Sequence, residues 1–407
     1  MPRNRRAVLS TIFFAVVVSL TGSLLLFLGT TSQASGRPTP GGAAKAKAPT
    51  PLSVLLGSDA WPGDDFGWSV SVSGSTAVVG APYASDYAGA AYVFTKVGSL
   101  WTQTADLTAS DAGNGEEFGW SVSVSGTTIA VGAPGYYYGI GAAYVFTETD
   151  GAWTQAAELL ASDSGGGDKF GYSVVTSGPS VMVGADEHSG SAGAVYVYTA
   201  ADDWALSQEL TASDAAPADM FGWSMALSGS TLVVSAVKAH DDTGAVYVFI
   251  DAGGTWTQEA ELWAGDGAAE NYFGDKVATN GKRIVAGAPG HDDERGAAYV
   301  FDGSGATWKQ VAEVTASDGA ADDCFGWAVG LAGKTVLVGA EKTNGDIGAA
   351  YVFTQKGSHW PQKAELTSGD GLAGDEFGYS VSLSGTTAIV SADGAEAGAG
   401  TAYIFKV

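Results

Sequence analysis

The chain has 407 residues, and 59 of them are glycine, about twice the roughly 7% of ordinary usage. Hydrophobic residues make up 45% and charged residues only 15%, with 44 acids against 19 bases and a net charge of −25. That balance excludes nucleic acid, whose phosphates need clustered Lys and Arg, and adhesion to an anionic membrane surface; the one cysteine excludes an intramolecular disulfide framework and a Cys-rich zinc site.

Residues 1–34 read as a signal peptide. Arg3, Arg5 and Arg6 precede an uncharged run from Ala7 to Leu28, and Ser32-Gln33-Ala34 offers the small residues that a signal peptidase needs. An uncleaved signal anchor is the competing reading, because the run is long enough to span a bilayer, although Ser10, Thr11, Ser19 and Ser23 dilute it. On either reading the remainder lies outside the cytoplasm, secreted or on the cell surface, and membrane attachment comes only through this segment. Residues 35–51 have the Pro, Gly and Ala composition of a flexible linker.

From residue 52 the chain is periodic. Phe-Gly recurs at Phe66, Phe118, Phe170, Phe221, Phe273, Phe325 and Phe377, and GAAYVF or a close variant begins at Gly89, Gly141, Gly193, Gly244, Gly296, Gly348 and Gly400. A spacing this regular signals units that bury their faces on one another. In the second unit four short strands are predicted, over 118–124, 127–133, 141–147 and 153–161. Phe118, Trp120, Val122 and Val124 alternate with Gly119, Ser121 and Ser123, so one face is bulky and the other small. Neither face is charged, which suits sheets stacked large side onto small side. The predicted fold is all-β: a seven-bladed β-propeller of four-stranded blades over 52–407. The seventh unit lacks its fourth strand, and Ser53-Val54-Leu55 aligns with the fourth strands of the others. The N-terminal strand is therefore expected to complete the last blade and close the ring.

Phe-Gly, Val-Gly-Ala-Pro and Tyr-Val-Phe in this order resemble the FG-GAP repeat of integrin α-chain propellers. Gly-Ala-Pro stands intact at 80–82, 132–134 and 287–289, and is altered at Asp186, Val237, Glu341 and Asp393. The resemblance covers about 52–407 and implies a propeller with an extracellular recognition role and no catalytic chemistry. Many hairpins of that family carry an Asp-rich calcium loop. Here the matching turns, such as Ser73-Gly74-Ser75-Thr76 and Ser125-Gly126-Thr127-Thr128, contain no acid, so those calcium sites do not carry over. No cofactor is assigned; calcium remains open for other loops.

The acids are not spread evenly. In an up-and-down blade, the loops leading into each Phe-Gly and the loops between second and third strands share one rim, and most of the 44 acids fall in them. Asp59, Asp111, Asp163, Asp214, Asp266, Asp318 and Asp370 precede each Phe by the same interval. Such an Asp sets a turn through backbone N–H bonds, or pairs with the polar residue two before Phe, as Asp163 with Asp168, to hold a hard cation. The loops between second and third strands vary among blades, as a grafted binding function would. They hold His188, His240-Asp241-Asp242, His291-Asp292-Asp293 and the aromatic cluster Tyr136-Tyr137-Tyr138. Imidazole beside carboxylates suits a transition metal or a pH-sensitive contact, and solvated loop residues are the plainer reading. Exposed tyrosines suit a protein or sugar partner.

Repeated tryptophans at 101, 153, 204, 256, 308 and 360, and at 68, 120, 223 and 327, are read as packing between blades, whereas Trp61 and Trp263 break the pattern and are binding candidates. No nucleophile elbow or zinc-protease helix motif is present. The sequence thus points to a non-enzymatic recognition or adhesion module that binds a protein or glycan on its acidic rim, with cation assistance as an option. Two other readings are a surface protein whose acidity serves solubility and a hydrolase of carbohydrate or phosphoester using a carboxylate pair.

Overall fold

The computed structural model describes residues 49–407; the signal peptide expected over 1–34, and all but the end of the linker expected over 35–51, lie outside them. Among the described residues no helix is long and apolar enough to cross a membrane. The seven units form seven four-stranded antiparallel sheets, each with its strands in sequence order except the last. In blade 2 the strands are Ser121–Ser125, Thr128–Ala133, Ala142–Thr149 and Ala152–Leu159, from the central channel outward. Ser125 pairs with Thr128 across a two-residue turn whose Gly126 has φ 58°, a conformation that suits glycine.

The two faces of each sheet are as unequal as the alternation suggests. Phe118, Val122, Val124, Ile129, Tyr144 and Phe146 of blade 2 pack onto Val78, Ala91 and Val93 of blade 1, while Ala143 and Val145 receive Phe170 and Val174 of blade 3. All seven phenylalanines of the Phe-Gly pairs are fully buried, and each contributes roughly 1.5–3 kcal/mol of apolar burial. One part of the predicted alternation fails. Gly119 has φ 96°, which breaks the pleat between Phe118 and Trp120 and turns Trp120 into the channel.

Consecutive blades are joined at three radii. At the channel, the free edge of the inner strand in blades 1, 2, 3 and 5 is capped by a neighbour's serine: Ser71 Oγ accepts from Val124 N, Ser123 Oγ from Thr176 N, Ser382 Oγ from Val72 N, and Ser224 Oγ from Val277 N. At middle radius the backbones touch, because a Cβ on Gly80 would fall inside the Gly119 carbonyl and one on Gly89 inside the Phe118 carbonyl. Toward the outside, Gln155 clamps Ser110 by accepting from its N–H and donating to its hydroxyl, each at 3.0 Å, and Gln103 holds Ser58 in the same way.

The last blade takes its outer strand from the start of the propeller. Ser53, Val54 and Leu55 pair with Ile404, Tyr403 and Ala402, and the sheet runs Ser53–Leu55, Thr401–Lys406, Thr387–Ala392, Val381–Ser384. The ring is thereby closed. Deleting residues 52–58 is expected to lower Tm by many degrees in a calorimetric melt, and an unchanged Tm would contradict closure. Gly141→Ala, whose Cβ meets the Phe170 carbonyl at φ 86°, is expected to cost about 3 kcal/mol or more. Gly126→Ala, which points into open space, is expected to cost about 1 kcal/mol in the same denaturant titration.

Candidate functional site

The loops of the acidic rim are held by an unusual backbone device. Between its second and third strands each blade carries a four-residue turn, such as Ala84–Tyr87, Tyr136–Gly139 and His188–Ser191, whose middle residues are left-handed. In blade 4, His240, Asp241 and Asp242 all have φ between 56° and 61°, a conformation costing non-glycine residues about 1–2 kcal/mol each. The turn aims a carbonyl at the next blade. Tyr87 O accepts from Gly115 N and Glu117 N, Gly139 O from Gly167 N and Lys169 N, and Gly398 O from Gly63 N and Asp65 N across the seam. The strain therefore serves the joint between blades.

Below these turns lies a recurring carboxylate pair. In blades 1, 2 and 3 the Asp seven residues before Phe-Gly receives the buried tyrosine of Tyr-Val-Phe: Tyr92 Oη donates to Asp59 at 2.9 Å, Tyr144 to Asp111 at 3.0 Å, and Tyr196 to Asp163 at 3.1 Å. The turn-setting role expected of this Asp belongs to the acid two before Phe. Asp64, Asp168, Asp219, Asp323 and Asp375 each accept the N–H three residues earlier. The second carboxylate comes from the outer strand. In blades 3, 4 and 5 a histidine of the left-handed turn completes the groups Asp163–His188–Glu209, Asp214–His240–Glu261 and Asp266–His291–Glu313, with one ligand atom of each residue within 4.8 Å of the others. Glu261, 2.7 Å from His240 Nε2, holds that imidazole above its usual pKa. In blade 2 Tyr136 takes the corresponding place, against Asp111 and Glu158.

Inside the ring of loops, the residues following Phe-Gly form an aromatic collar at the channel mouth: Trp68, Trp120, Tyr172, Trp223, Trp327 and Tyr379, with Asp275 in the seventh place. Neighbouring rings lie close, Trp68 and Trp120 at 4.6 Å, Tyr172 and Trp223 at 4.9 Å, Trp68 and Tyr379 at 5.2 Å. Lys276 Nζ lies 5.6 Å from the Trp223 ring. The channel below has a volume of about 560 Å³ and is lined by Ser, Val and Ala. These tryptophans were expected between blades. They do meet their counterparts on neighbouring blades, but at the channel mouth, because of the broken pleat at Phe-Gly.

With seven blades, Phe-Gly joints and Tyr-Val-Phe strands in register, the chain can be set beside known families. A family profile described as FG-GAP repeat matches residues 51–94, 101–146, 153–198, 204–249, 256–301, 308–353 and 360–405. The chain belongs to the FG-GAP repeat family. Each matched stretch begins on the outer strand of one blade and ends on the third strand of the next, so the FG-GAP unit spans a joint. No match was found among curated proteins.

The FG-GAP frame also explains the oddest acids of the molecule. The proline of Gly-Ala-Pro is replaced by Asp186, Glu341 and Asp393, which are 1%, 4% and 5% exposed. Asp186 Oδ1, Glu341 Oε2 and Asp393 Oδ1 have no hydrogen-bond partner. Burial pushes Asp186 up to about 7 and Glu341 up to about 8, the latter helped by Glu376, and pushes Asp393 well above the carboxylate range. All three lie close to the collar: Asp186 acts on Tyr172, and Asp393 and Glu341 act on Tyr379.

Of the residues singled out from the sequence, Tyr137 and Tyr138 are exposed, the latter 90%, and stack edge to face at 5.4 Å. Asp241, Asp292 and Asp293 are exposed at the tips of their turns; Asp242 O accepts from Glu270 N, and Asp292 pairs with Arg295. The carboxylates that meet His240 and His291 come from elsewhere in the chain, as Asp214, Glu261, Asp266 and Glu313. Trp263 is exposed and borders a cavity with His240 and Glu261, and Trp61 is exposed as well.

The buried acids predict a pH dependence. A carboxyl whose folded pKa exceeds its unfolded value keeps its proton longer in the folded chain, so its contribution to stability falls as pH rises from about 4 through the folded value. For Asp186 and Glu341 the windows end near pH 7 and 8, with a slope of about 1.4 kcal/mol per pH unit for each group. Tm is expected to fall between pH 5 and pH 8. Glu341→Gln should raise Tm at pH 8 and flatten the profile, and a wild-type Tm constant across that range would contradict the assignment.

Proposed function

We propose that this FG-GAP propeller is a non-enzymatic recognition module, acting outside the cytoplasm, that binds a basic segment of a protein partner at the channel mouth on its acidic rim. The observation that carries the reading is the collar of six aromatic rings with Asp275 among them, set inside the acidic loops of the rim. Aromatic faces attract Lys and Arg, by about 0.5–2 kcal/mol for each contact. The surrounding acids supply complementary charge, which speeds encounter and excludes acidic competitors. Lys276 over Trp223 is an internal example of the contact. The basic N-terminal flank and the apolar run after it support placement outside the cytoplasm. Such propeller repeats ordinarily carry no catalytic chemistry, and the reading asks none of this one.

Titrating an Arg-rich peptide while following tryptophan fluorescence tests the proposal. Binding is expected to weaken with salt, to be absent for an acidic peptide, and to fall about tenfold or more in Trp120→Ala and in Asp275→Asn. Replacing Asp241, Asp242, Asp292 and Asp293 with Asn tests the outer turns, and a smaller loss than at the collar is expected. Equal affinity in the wild type and both collar variants would overturn the reading. The exposed pair Tyr137 and Tyr138 supports a glycan as the second ligand class. A glycan array on the wild type and on Tyr138→Ser checks it, with signal lost in the variant as the expected result.

A further inference from the structure

The Asp–His–Glu groups of blades 3, 4 and 5 have a donor set and a geometry that the partner reading does not use. In blade 3 both first donors are already oriented. Tyr196 Oη donates to Asp163 Oδ1, which leaves Oδ2 to face His188 Nε2 at 3.9 Å. On the far side of the imidazole, Nδ1 lies 2.8 Å from Asp168 Oδ2, and that same oxygen accepts from Gly165 N at 2.7 Å. A carboxylate on Nδ1 fixes the proton there and presents the Nε2 lone pair forward, the outer-shell arrangement that metal-ligating histidines use. The other two groups bring the same three residue types together but hold the imidazole differently, and His240 comes from the second position of its turn rather than the first. His291 Nε2 lies 3.8 Å from Glu313, with Asn271 and Tyr299 at its Nδ1. His240 Nε2 lies 2.7 Å from Glu261 and 3.9 Å from Asp214, beside a cavity of about 400 Å³.

We propose that Asp163–His188–Glu209, and the equivalent groups around His240 and His291, each bind a first-row divalent transition ion of the zinc class. Tetrahedral ligands with bonds of about 2.0–2.1 Å sit about 3.3 Å apart, so separations of 3.8–3.9 Å close with small side-chain movements. One imidazole and two carboxylates match that class, whereas calcium requires six to eight oxygens. Three protein ligands leave a further position for water or for a donor from outside. Within the chain, blade 2 offers a control: Asp111 and Glu158 are present, but Tyr136 stands where His188 does, as the first residue of its turn.

The test is calorimetric titration of Zn²⁺ into tag-free, chelator-dialysed protein, with Ca²⁺ in a parallel cell. About three equivalents of zinc are expected, one for each group, with no matching uptake of calcium. His188→Gln, His240→Gln and His291→Gln should each remove one equivalent, and Tyr136→His should add one. With Co²⁺ in place of zinc, visible d–d absorption should rise and fall with the same variants. Metal-free melts of each variant show that it is folded, and the gain in Tyr136→His does not depend on a loss that misfolding could mimic. Absence of zinc binding, a stoichiometry that does not follow the histidines, or equal uptake of calcium would overturn the proposal and leave the groups as ordinary ion pairs.

Discussion

The molecule depends on one close approach, repeated around the ring: the backbone of each Phe-Gly lies against a glycine of the preceding blade, joined by a second glycine at five joints and by Ser235 or Ser391 at the other two. A side chain on Gly80 or Gly89 has no room beside Gly119 and Phe118, and the Phe beside that contact is fully buried. Apolar burial supplies the free energy, while the glycines set the distance at which it can be collected. The other joints presuppose that distance. Serine hydroxyls at the channel reach a neighbour's N–H at 3.0–3.1 Å, and glutamine clamps outside close at 3.0 Å. Blades set further apart would leave each inner strand with an unsatisfied edge.

The same spacing accounts for strain that would otherwise look like a mark of function. Runs of left-handed residues such as His240, Asp241 and Asp242 cluster on one rim, where binding loops are also expected. Carbonyls of these turns accept N–H groups of the next blade, one at Asp242 O and two each at Tyr87, Gly139 and Gly398 O, so the conformation is explained by architecture before any ligand is invoked. Function enters through the side chains that the turns happen to carry. A histidine at the first position of its turn in blades 3 and 5, and at the second in blade 4, reaches the carboxylate pair below it, a tyrosine does so in blade 2, and the alanine that begins the turns of blades 1 and 7 does not.

Much of this was legible in the sequence, and the limits are instructive. The recurrence of Phe-Gly and Tyr-Val-Phe gave seven blades, and the truncated last unit pointed to Ser53–Leu55 as its missing strand. Alternation gave the bulky and small faces, because a strand keeps its period while its backbone stays extended. It misplaced Trp120, because Gly119 leaves the extended region and turns the next side chain toward the axis. Neighbours in sequence also stood in for neighbours in space. His240 was grouped with Asp241 and Asp242, yet its carboxylate partners are Asp214 and Glu261, brought to it from the preceding loop and the outer strand. The fixed position of an Asp before every Phe-Gly and of an acid in most outer strands was the available signal. It could have been used by asking which repeated positions meet above one tyrosine.

The seam has a consequence for the order in which the chain is made. Ser53–Leu55 is the first strand of the propeller to be synthesised, and its partner Thr401–Lys406 is the last. During elongation the early blades can stack, since each needs only its neighbour, but the opening strand waits without a sheet until the closing one appears. Apolar residues such as Leu55, fully covered in the finished ring, stay open to solvent throughout that interval. The joint that protects the mature ring is thus open in the nascent one, and the ring cannot close until the last strand of the propeller has been made.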